Sequence, residues 1–192
     1  MASHCTCAKS GFTEVAGGMR TARCRHTASL LPSGRVLIAA GFIGMVGAIT
    51  AEIYDPVTNA LTATGSLASP WRGYHTATTM PDGSVLVVGG SFAASIPTTE
   101  RYDEARGTWV VGPMLTTARH DHVAASLPSG RVLVAGGYPG LSSAEALTED
   151  SCGNGVFDPG ETCDDGNRLS NDCCVTCALS PVGRVRRPAA GT

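Results

Sequence analysis

Short apolar runs alternate with turn-forming residues along positions 12–147 of the chain. The most regular runs are Val36–Ala39, Val85–Val88 and Val132–Ala135. Each follows a Pro-Ser-Gly or Pro-Asp-Gly sequence. That sequence is a turn signal, because Pro presets φ, Ser or Asp hydrogen-bonds nearby backbone and Gly accepts positive φ. A continuous apolar run bounded by turns predicts a strand that is buried on both faces.

These runs belong to a unit that occurs three times. The copies start at His26, His75 and His122, which are 49 and 47 residues apart. An Arg precedes each His by three positions, and a Gly pair or Ala-Gly follows each apolar run. The other recurring positions are Arg23, Arg72 and Arg119; Glu52, Glu100 and Glu145; Tyr54 and Tyr102; and Leu61 and Trp109. Self-similarity at a period of about 48 residues is typical of repeat architectures.

Each unit predicts four short strands. The first runs from the His to the Pro turn, the second is the apolar run, and the third is the Glu-x-Tyr sequence; the fourth covers residues 61–64 or 109–111. Four such strands describe one blade of a β-propeller. The apolar run, double Gly, Tyr and Trp at fixed spacing resemble the kelch repeat. The Arg-x-x-His and Pro-Ser-Gly-Arg elements are similar to bacterial kelch proteins grouped with the galactose-oxidase-type propeller.

The resemblance implies an all-β fold, a partial kelch-type β-propeller of about three four-stranded blades followed by a small disulfide-rich irregular module. The predicted divisions are an N-terminal extension at 1–11, kelch-repeat blades at 12–147, a cysteine-rich module at 148–178 and a flexible tail at 179–192. The copies depart from the pattern at Ala40, at Leu61 and after the third Glu, where the Tyr is missing.

The number of blades raises the question of how the ring closes. Residues 12–15 align with residues 61–64, so they are predicted to be a fourth strand that completes the last blade. The total is then three blades, whereas propellers typically have about four to eight. Three interpretations stay open: the chain is a fragment or eroded copy of a longer gene, two chains combine into a six-bladed ring, or the partial ring stands alone.

The cysteine-rich module is turn-rich and acidic. Five of the eight Cys lie between positions 152 and 177. The Cys-Gly-Asn-Gly, Pro-Gly-Glu-x-Cys-Asp-Asp-Gly-Asn and Cys-x-x-x-Cys elements resemble a short cysteine-rich repeat of myxobacterial-type surface proteins. The resemblance implies two disulfides among Cys152, Cys163, Cys173 and Cys177, with the pairing and the role of Cys174 left open. Zinc is the alternative, although the spacing lacks two close Cys pairs.

The cysteine-rich module also predicts the compartment in which the protein is located. A cluster of Cys favours an oxidising compartment, and therefore an extracellular or cell-surface location. The first residues of this chain lack the charged start and apolar stretch of a secretory signal. No apolar run reaches the length of about 18 residues that a transmembrane helix needs.

Acidic residues of the module are candidate calcium ligands. They are Asp158, Glu161, Asp164, Asp165 and Asn167. Their hard oxygen atoms on a Gly-containing loop suit calcium, but the spacing does not match the twelve-residue calcium loop of helix-loop-helix proteins. A solvated acidic loop is the alternative, and no other cofactor is predicted.

Residues that recur once per unit are predicted to be structural. Catalysis needs different groups converging at one place, whereas His26, His75 and His122 repeat with the fold. We expect each His to bind the backbone of a neighbouring strand. We expect the recurring Arg and Glu residues to form ion pairs between or within blades, because buried charges need partners.

Functional residues are predicted where the copies differ, in the loops after each Arg and after each Gly pair. The candidates for ligand binding are Phe42, Trp71, Tyr74, Phe92, His120, Asp121 and Tyr138. The aromatic members could contact sugars or peptides, and local packing of the loops is the alternative. No Gly-x-Ser-x-Gly elbow or phosphate-binding Gly loop supports catalysis.

These observations favour a non-enzymatic kelch-type binding or scaffold protein whose partner is a protein or a carbohydrate. A net charge of −2 gives no electrostatic footprint for nucleic acid. One alternative is a remnant of a galactose-oxidase-like copper oxidase, which would need two Tyr, two His and a Cys around one metal. Cys24 is the only Cys inside the blades. The other alternative is an eroded gene fragment with no independent function.

Overall fold

A computed structural model describes residues 14, 15, 17–68 and 72–147. Within those ranges the chain consists of β-strands and connecting turns, without a helix. The sequence prediction of an all-β fold is therefore confirmed for this part of the chain. The cysteine-rich module, the predicted tail and the N-terminal extension lie outside the described residues.

The first repeat forms a four-stranded antiparallel sheet with a small hairpin inserted. Its strands are β1 (Thr27–Leu30), β2 (Val36–Ala39), β3 (Phe42–Ile43), β4 (Val46–Gly47), β5 (Ala51–Asp55) and β6 (Ala60–Thr64). The main sheet has the order β1-β2-β5-β6, and β3 pairs with β4. The Pro-Ser-Gly turn joins β1 to β2, with Gly34 at φ +82° and its N–H bonded to the Leu31 carbonyl at 2.9 Å.

The second repeat reproduces this sheet, and the third reproduces three of its strands. The second contains β7 (Thr76–Thr79), β8 (Val85–Val88), β9 (Ser91–Phe92), β10 (Ala94–Ser95), β11 (Thr99–Asp103) and β12 (Thr108–Val111). Its main sheet has the order β12-β11-β8-β7. The third contains β13 (Val123–Ser126), β14 (Val132–Ala135) and β15 (Ala144–Leu147), in the order β13-β14-β15. The strands predicted within residues 26–147 are confirmed, and the small hairpins were not predicted.

The core consists of apolar faces that neighbouring sheets press together. Leu37 and Ile53 of the first sheet pack against Val85 and Tyr102 of the second. On the other side of the second sheet, residues of the second and third repeats form one cluster: Met80, Leu86, Val88, Val132 and Val134. At the inner edges, β1 lies against β7, and β7 lies against β13. The sheets therefore stack like blades, each using one face for the preceding sheet and one for the following sheet.

The second strand of each unit was predicted to be buried on both faces, and this is correct only in the middle repeat. All four residues of Val85–Val88 are buried. In Val36–Ala39 and in Val132–Ala135, buried residues alternate with more exposed ones. The reason is that the first and last sheets each have one sheet neighbour among the described residues, while the middle sheet has two.

The prediction of a strand at residues 12–15 is wrong for its described part. Glu14 and Val15 have no strand structure, and Phe12 and Thr13 lie outside the described residues. Glu14 and Val15 instead line a cleft beside Val36 and Tyr54 of the first sheet. They therefore adjoin the first repeat, and the described residues give no fourth strand to the last one.

The second Gly of each pair permits a close approach that a side chain would block. Gly90 has φ +108°, and a Cβ there would lie 2.8 Å from the Gly73 carbonyl oxygen and 3.0 Å from the His75 Cβ. We expect Gly90→Ala to cost about 2 kcal/mol more than Gly44→Ala in urea unfolding. Gly44 is the matched control, because it has φ +60° with nothing within 4 Å of an added Cβ. Equal losses for the two variants would show that the close approach carries no energy.

Candidate binding site

The loops that differ between repeats meet at one end of the sheets. The residue after each recurring Arg pairs with the residue after each glycine pair, in isolated bridges. The pairs are Cys24 with Phe42, Gly73 with Ser91, and His120 with Tyr138. Because the first strand of each antiparallel unit begins where the second ends, all of these loops share that end.

The residue just before each recurring His has a left-handed backbone. Arg25, Tyr74 and Asp121 have φ values of 55°, 55° and 52°. For a residue with a side chain this conformation costs about 1 kcal/mol or more. It recurs in all three repeats although the residue types differ, so the fold imposes the corner and the sequence varies the side chain presented there.

Five of the candidate residues form a continuous row of rings across the three repeats. The centroid distances are 6.4 Å between Phe92 and Phe42, 5.8 Å between Phe42 and Tyr74, 5.8 Å between Tyr74 and His120, and 4.8 Å between His120 and Tyr138. We call these five residues the aromatic row. Its ring separations lie in the range of favourable aromatic pairs. Tyr138 is 61% exposed and Phe92 is 36% exposed, so the row combines packed rings with accessible ones.

A glycine places the Phe42 ring in this row. A Cβ on Gly73 would come within 2.2 Å of the Phe42 ring, so the ring lies directly over the Gly73 backbone. In the other two repeats this position holds Cys24 and His120. The second repeat therefore leaves room for an aromatic ring that the first repeat supplies.

Polar groups accompany the row at three points. The Arg25 guanidinium carbon lies 4.8 Å from the centre of the Tyr74 ring, a cation–π arrangement. Ser95 Oγ is 2.9 Å from His120 Nδ1, and the backbone N–H of Asp121 donates to the Tyr74 carbonyl at 3.1 Å. Arg25 and Ser95 were not among the candidates. The signal for Arg25 was present in the repeats, because it occupies the same position as Tyr74.

The hairpin of β3 and β4 adds exposed apolar side chains beside Phe42. Ile43 is 39% exposed, Met45 is 93% exposed and Val46 is 52% exposed. Exposed apolar side chains grouped with aromatic rings mark interaction surfaces in soluble proteins. The end of the sheets that carries the aromatic row is thus apolar and aromatic, with the Arg25 cation and the exposed Asp121 at its edge.

The remaining candidates of the sequence analysis fall outside the described residues. They are Trp71, the disulfide candidates Cys152, Cys163, Cys173 and Cys177, and the calcium candidates Asp158, Glu161, Asp164, Asp165 and Asn167. Asp121 is described and lies at the row, although its side chain belongs to no ring contact.

The recurring Arg and Glu form ion pairs within each repeat. The sequence predicted such pairs and left open whether they form within or between blades. The Arg Nη2 to Glu Oε1 distances are 2.7, 2.9 and 2.7 Å for Arg23–Glu52, Arg72–Glu100 and Arg119–Glu145. The second Glu oxygen accepts a backbone N–H from the segment that enters the repeat, from Arg20, Ala68 or Thr116. Each pair therefore fastens the incoming chain to the sheet and is structural.

His75 and His122 have a different partner from the one predicted. His75 Nε2 is 2.9 Å from Thr27 Oγ1, and His122 Nε2 is 2.9 Å from Thr76 Oγ1. The partner is thus a side-chain hydroxyl of the preceding repeat, and the prediction of a backbone partner is wrong for these two histidines. Burial, followed by the nearby Arg72 and the other histidines, lowers the pKa of His75 to about 3. Burial and Arg119 lower the pKa of His122 to about 4.

The described residues do not fit a copper centre. They contain no group of three or more His, Cys, Asp or Glu side chains placed to hold a metal ion. Cys24 is exposed and its thiol is free, and its backbone exchanges two hydrogen bonds with the backbone of Phe42.

The chain was compared with known proteins. A scan against protein-family models and a search of the curated proteins both returned no match. Within the described ranges, no helix has the length and apolarity of a membrane span.

Proposed function

We propose that this chain is a non-enzymatic, kelch-type binding or scaffold protein that recognises its partner through the aromatic row. The observation that supports this most directly is the continuity of the row. Loops of three successive repeats contribute rings that touch one another. A rigid sheet scaffold with variable loops at one end is the usual arrangement of recognition surfaces. The cysteine-rich module favours a role at the cell surface or outside the cell.

A protein partner suits the composition of this end better than a carbohydrate. Tyr, Phe, Met and Arg are enriched at the centres of protein interfaces, and Tyr138, Met45 and Arg25 are all exposed here. A sugar needs an accessible flat ring face, and the rings of the row are tilted to one another by 32° to 63°. Tyr138, at 61% exposure, is the ring best placed for a sugar.

The test is selection of ligands on the full-length chain, followed by one pair of variants. A displayed peptide library and a glycan array give ligands for the wild-type protein. We expect Tyr138→Ala to raise the dissociation constant of the selected ligand by about 30-fold, the effect of removing an aromatic side chain that the ligand buries. Val110→Ala is the matched control, since Val110 is 62% exposed on the outer strand of the middle repeat. A ligand that is insensitive to Tyr138→Ala, or equally sensitive to both variants, contradicts the proposal.

The copper oxidase alternative has a separate test. Stoichiometric copper binding by the oxidised full-length chain, together with oxidation of a primary alcohol, would favour it over a binding module. Failure to bind copper stoichiometrically would remove it. Ligand binding lost in Tyr138→Ala would also separate a binding module from an eroded product without function.

A further inference from the structure

The first and last sheets each expose a face that is buried everywhere else in the repeat array. On the first sheet the face consists of Val36, Ile38, Tyr54 and Leu61, which are only half-buried. They line an open cleft of about 660 Å³, whose other lining residues are 14, 15 and 17–19. We call it the leading face. Its equivalents in the later sheets are buried against the preceding sheet, with Val85 and Val132 both at 0% exposure.

The last sheet exposes the opposite kind of face. Leu133 and Ala135 of β14 lie across from Ala146 and Ala144 of β15, and we call these four residues the trailing face. Leu133 is 39% exposed, whereas Leu37 and Leu86 at the same position of the earlier sheets are each 1% exposed. The difference arises because no described sheet follows the third.

We propose that the trailing face of one copy of this chain docks onto the leading face of a second copy, and the reverse. The chain already contains this type of interface twice. The trailing face of the first sheet packs on the leading face of the second, and the second packs likewise on the third. The intermolecular contact would continue an interface that the fold already uses.

The number of blades favours two copies. A trailing-to-leading contact is heterologous, so it closes into a ring only when the rotation per repeat allows it and otherwise gives open filaments. Two copies give six blades, inside the range of about four to eight that propellers adopt. One copy gives three and three copies give nine, both outside it. Closure also covers both apolar faces at once, which one copy cannot do with its described residues.

One residue makes the new interface weaker than the internal ones. Each internal interface contains a His–Thr hydrogen bond, one between Thr27 and His75 and one between Thr76 and His122. The third repeat has Val123 at the Thr position, and it is 69% exposed. His26 of a second copy would therefore meet a methyl group where the other histidines meet a hydroxyl. Val123→Thr supplies the missing group without a change of shape.

The first experiment measures the mass of the full-length chain in solution by light scattering on a sizing column. We expect twice 19.6 kDa for the wild-type chain, and a denaturing gel without reductant identifies any disulfide-linked pair. Leu133→Asp should give the monomer, because it places a carboxylate in the new interface. Val110→Asp should stay dimeric, since it makes the same change at an exposed strand position of the middle repeat. Val123→Thr should lower the dimer dissociation constant by about tenfold.

A mixing experiment tests the head-to-tail arrangement. Ile38→Asp places a charge only on the leading face, and Leu133→Asp places one only on the trailing face. In a dimer of either variant alone, both contacts would contain the charged face, so each variant alone should be monomeric. Mixed together they retain one intact interface, and a species of twice the monomer mass should form. Circular dichroism of each variant checks that it is folded. A dimer that forms on mixing shows in addition that the two variants were monomeric because of the altered face and not because of misfolding.

Several results would overturn the proposal. These are a wild-type mass of 19.6 kDa, a ladder of masses, a dimer that survives Leu133→Asp, or a mixture that stays monomeric. A monomeric wild-type chain would mean that other segments cover the two faces. The proposed dimer does not rest on ligand recognition by the aromatic row. The mass of the chain in solution and the effect of Tyr138→Ala on ligand binding are therefore independent results.

Discussion

Arg72→Ala is expected to destabilise the repeat array by about 3–5 kcal/mol, the usual cost of removing one partner of a buried ion pair. Arg72 and Glu100 have side chains that are 1% and 0% exposed. The guanidinium also donates to the carbonyls of Gly89 and Thr98 and to Thr98 Oγ1. The variant removes the Arg72 charge from beside the buried Glu100 carboxylate and removes the donor of these acceptors. A loss of this size is a large part of the stability of an ordinary domain.

Two further variants separate the ion pair from simple surface electrostatics. Arg106→Ala removes the exposed pair with Asp103, whose Arg side chain is 79% exposed, and should cost less than about 1 kcal/mol. Arg119→Ala should fall between the two, because Glu145 is 22% exposed and water can compensate it. Urea unfolding of the full-length chain measures all three. The reverse order, with Arg106→Ala as costly as Arg72→Ala, would contradict a structural role for the recurring pair.

Arg72→Lys keeps the experiment informative if Arg72→Ala does not fold. Lysine retains the charge but lacks the planar set of donors that reaches Gly89, Thr98 and Glu100 together. Its stability should therefore lie between those of the wild-type chain and Arg72→Ala. A Lys variant as stable as wild type would show that charge alone matters at this position.

The strands could be predicted from the sequence because their signals are local. The turn at Pro32-Ser33-Gly34 and the apolar run that follows it specify β1, β2 and the connection between them without reference to the rest of the chain. The small hairpins could not be predicted, because two residues per strand carry no periodicity. Burial of the second strand on both faces depends on having two neighbouring sheets, which local pattern does not report.

The recurring charges and histidines illustrate what repetition can and cannot specify. The pairing of Arg with Glu followed from the need to neutralise buried charge. Whether the pair forms within or between repeats could not follow, because each residue occurs once per repeat. For the histidines, the missed signal was Thr27 and Thr76, which follow His26 and His75 directly, and the change to Val123 in the third copy.

The candidate site was predictable as a set of loop positions and unpredictable as a single surface. The ring of Tyr138 comes directly after a glycine pair and that of Phe42 directly after Ala40-Gly41, whereas Phe92 comes one residue later. Their meeting depends on how far each sheet is offset from the next, and on the absence of a side chain at Gly73. Neither is visible in the spacing of aromatic residues along the chain.

Acid is expected to destabilise the array well above the pH at which carboxylates titrate. Burial, Arg72 and the neighbouring histidines His122 and His26 lower the pKa of His75 to about 3, and burial and Arg119 lower that of His122 to about 4. In the unfolded chain a histidine has a pKa of about 6.5. The unfolded state thus binds more protons below pH 6.5, so the stability present above that pH is lost as the pH falls toward the folded-state values.

The size of the effect follows from linkage. Each such histidine contributes a slope of about 1.4 kcal/mol per pH unit. Between pH 6.5 and 5, where free carboxyl groups stay ionised, His75 and His122 together should cost about 2–4 kcal/mol. Urea unfolding at half-unit steps of pH measures this slope. His75→Gln is the matched variant, because its amide can still bond Thr27 Oγ1 without titrating, and it should lower the slope by about 1.4 kcal/mol per unit. A wild-type stability that is flat over this window, or a slope that His75→Gln leaves unchanged, would show that burial between successive sheets does not hold these histidines neutral.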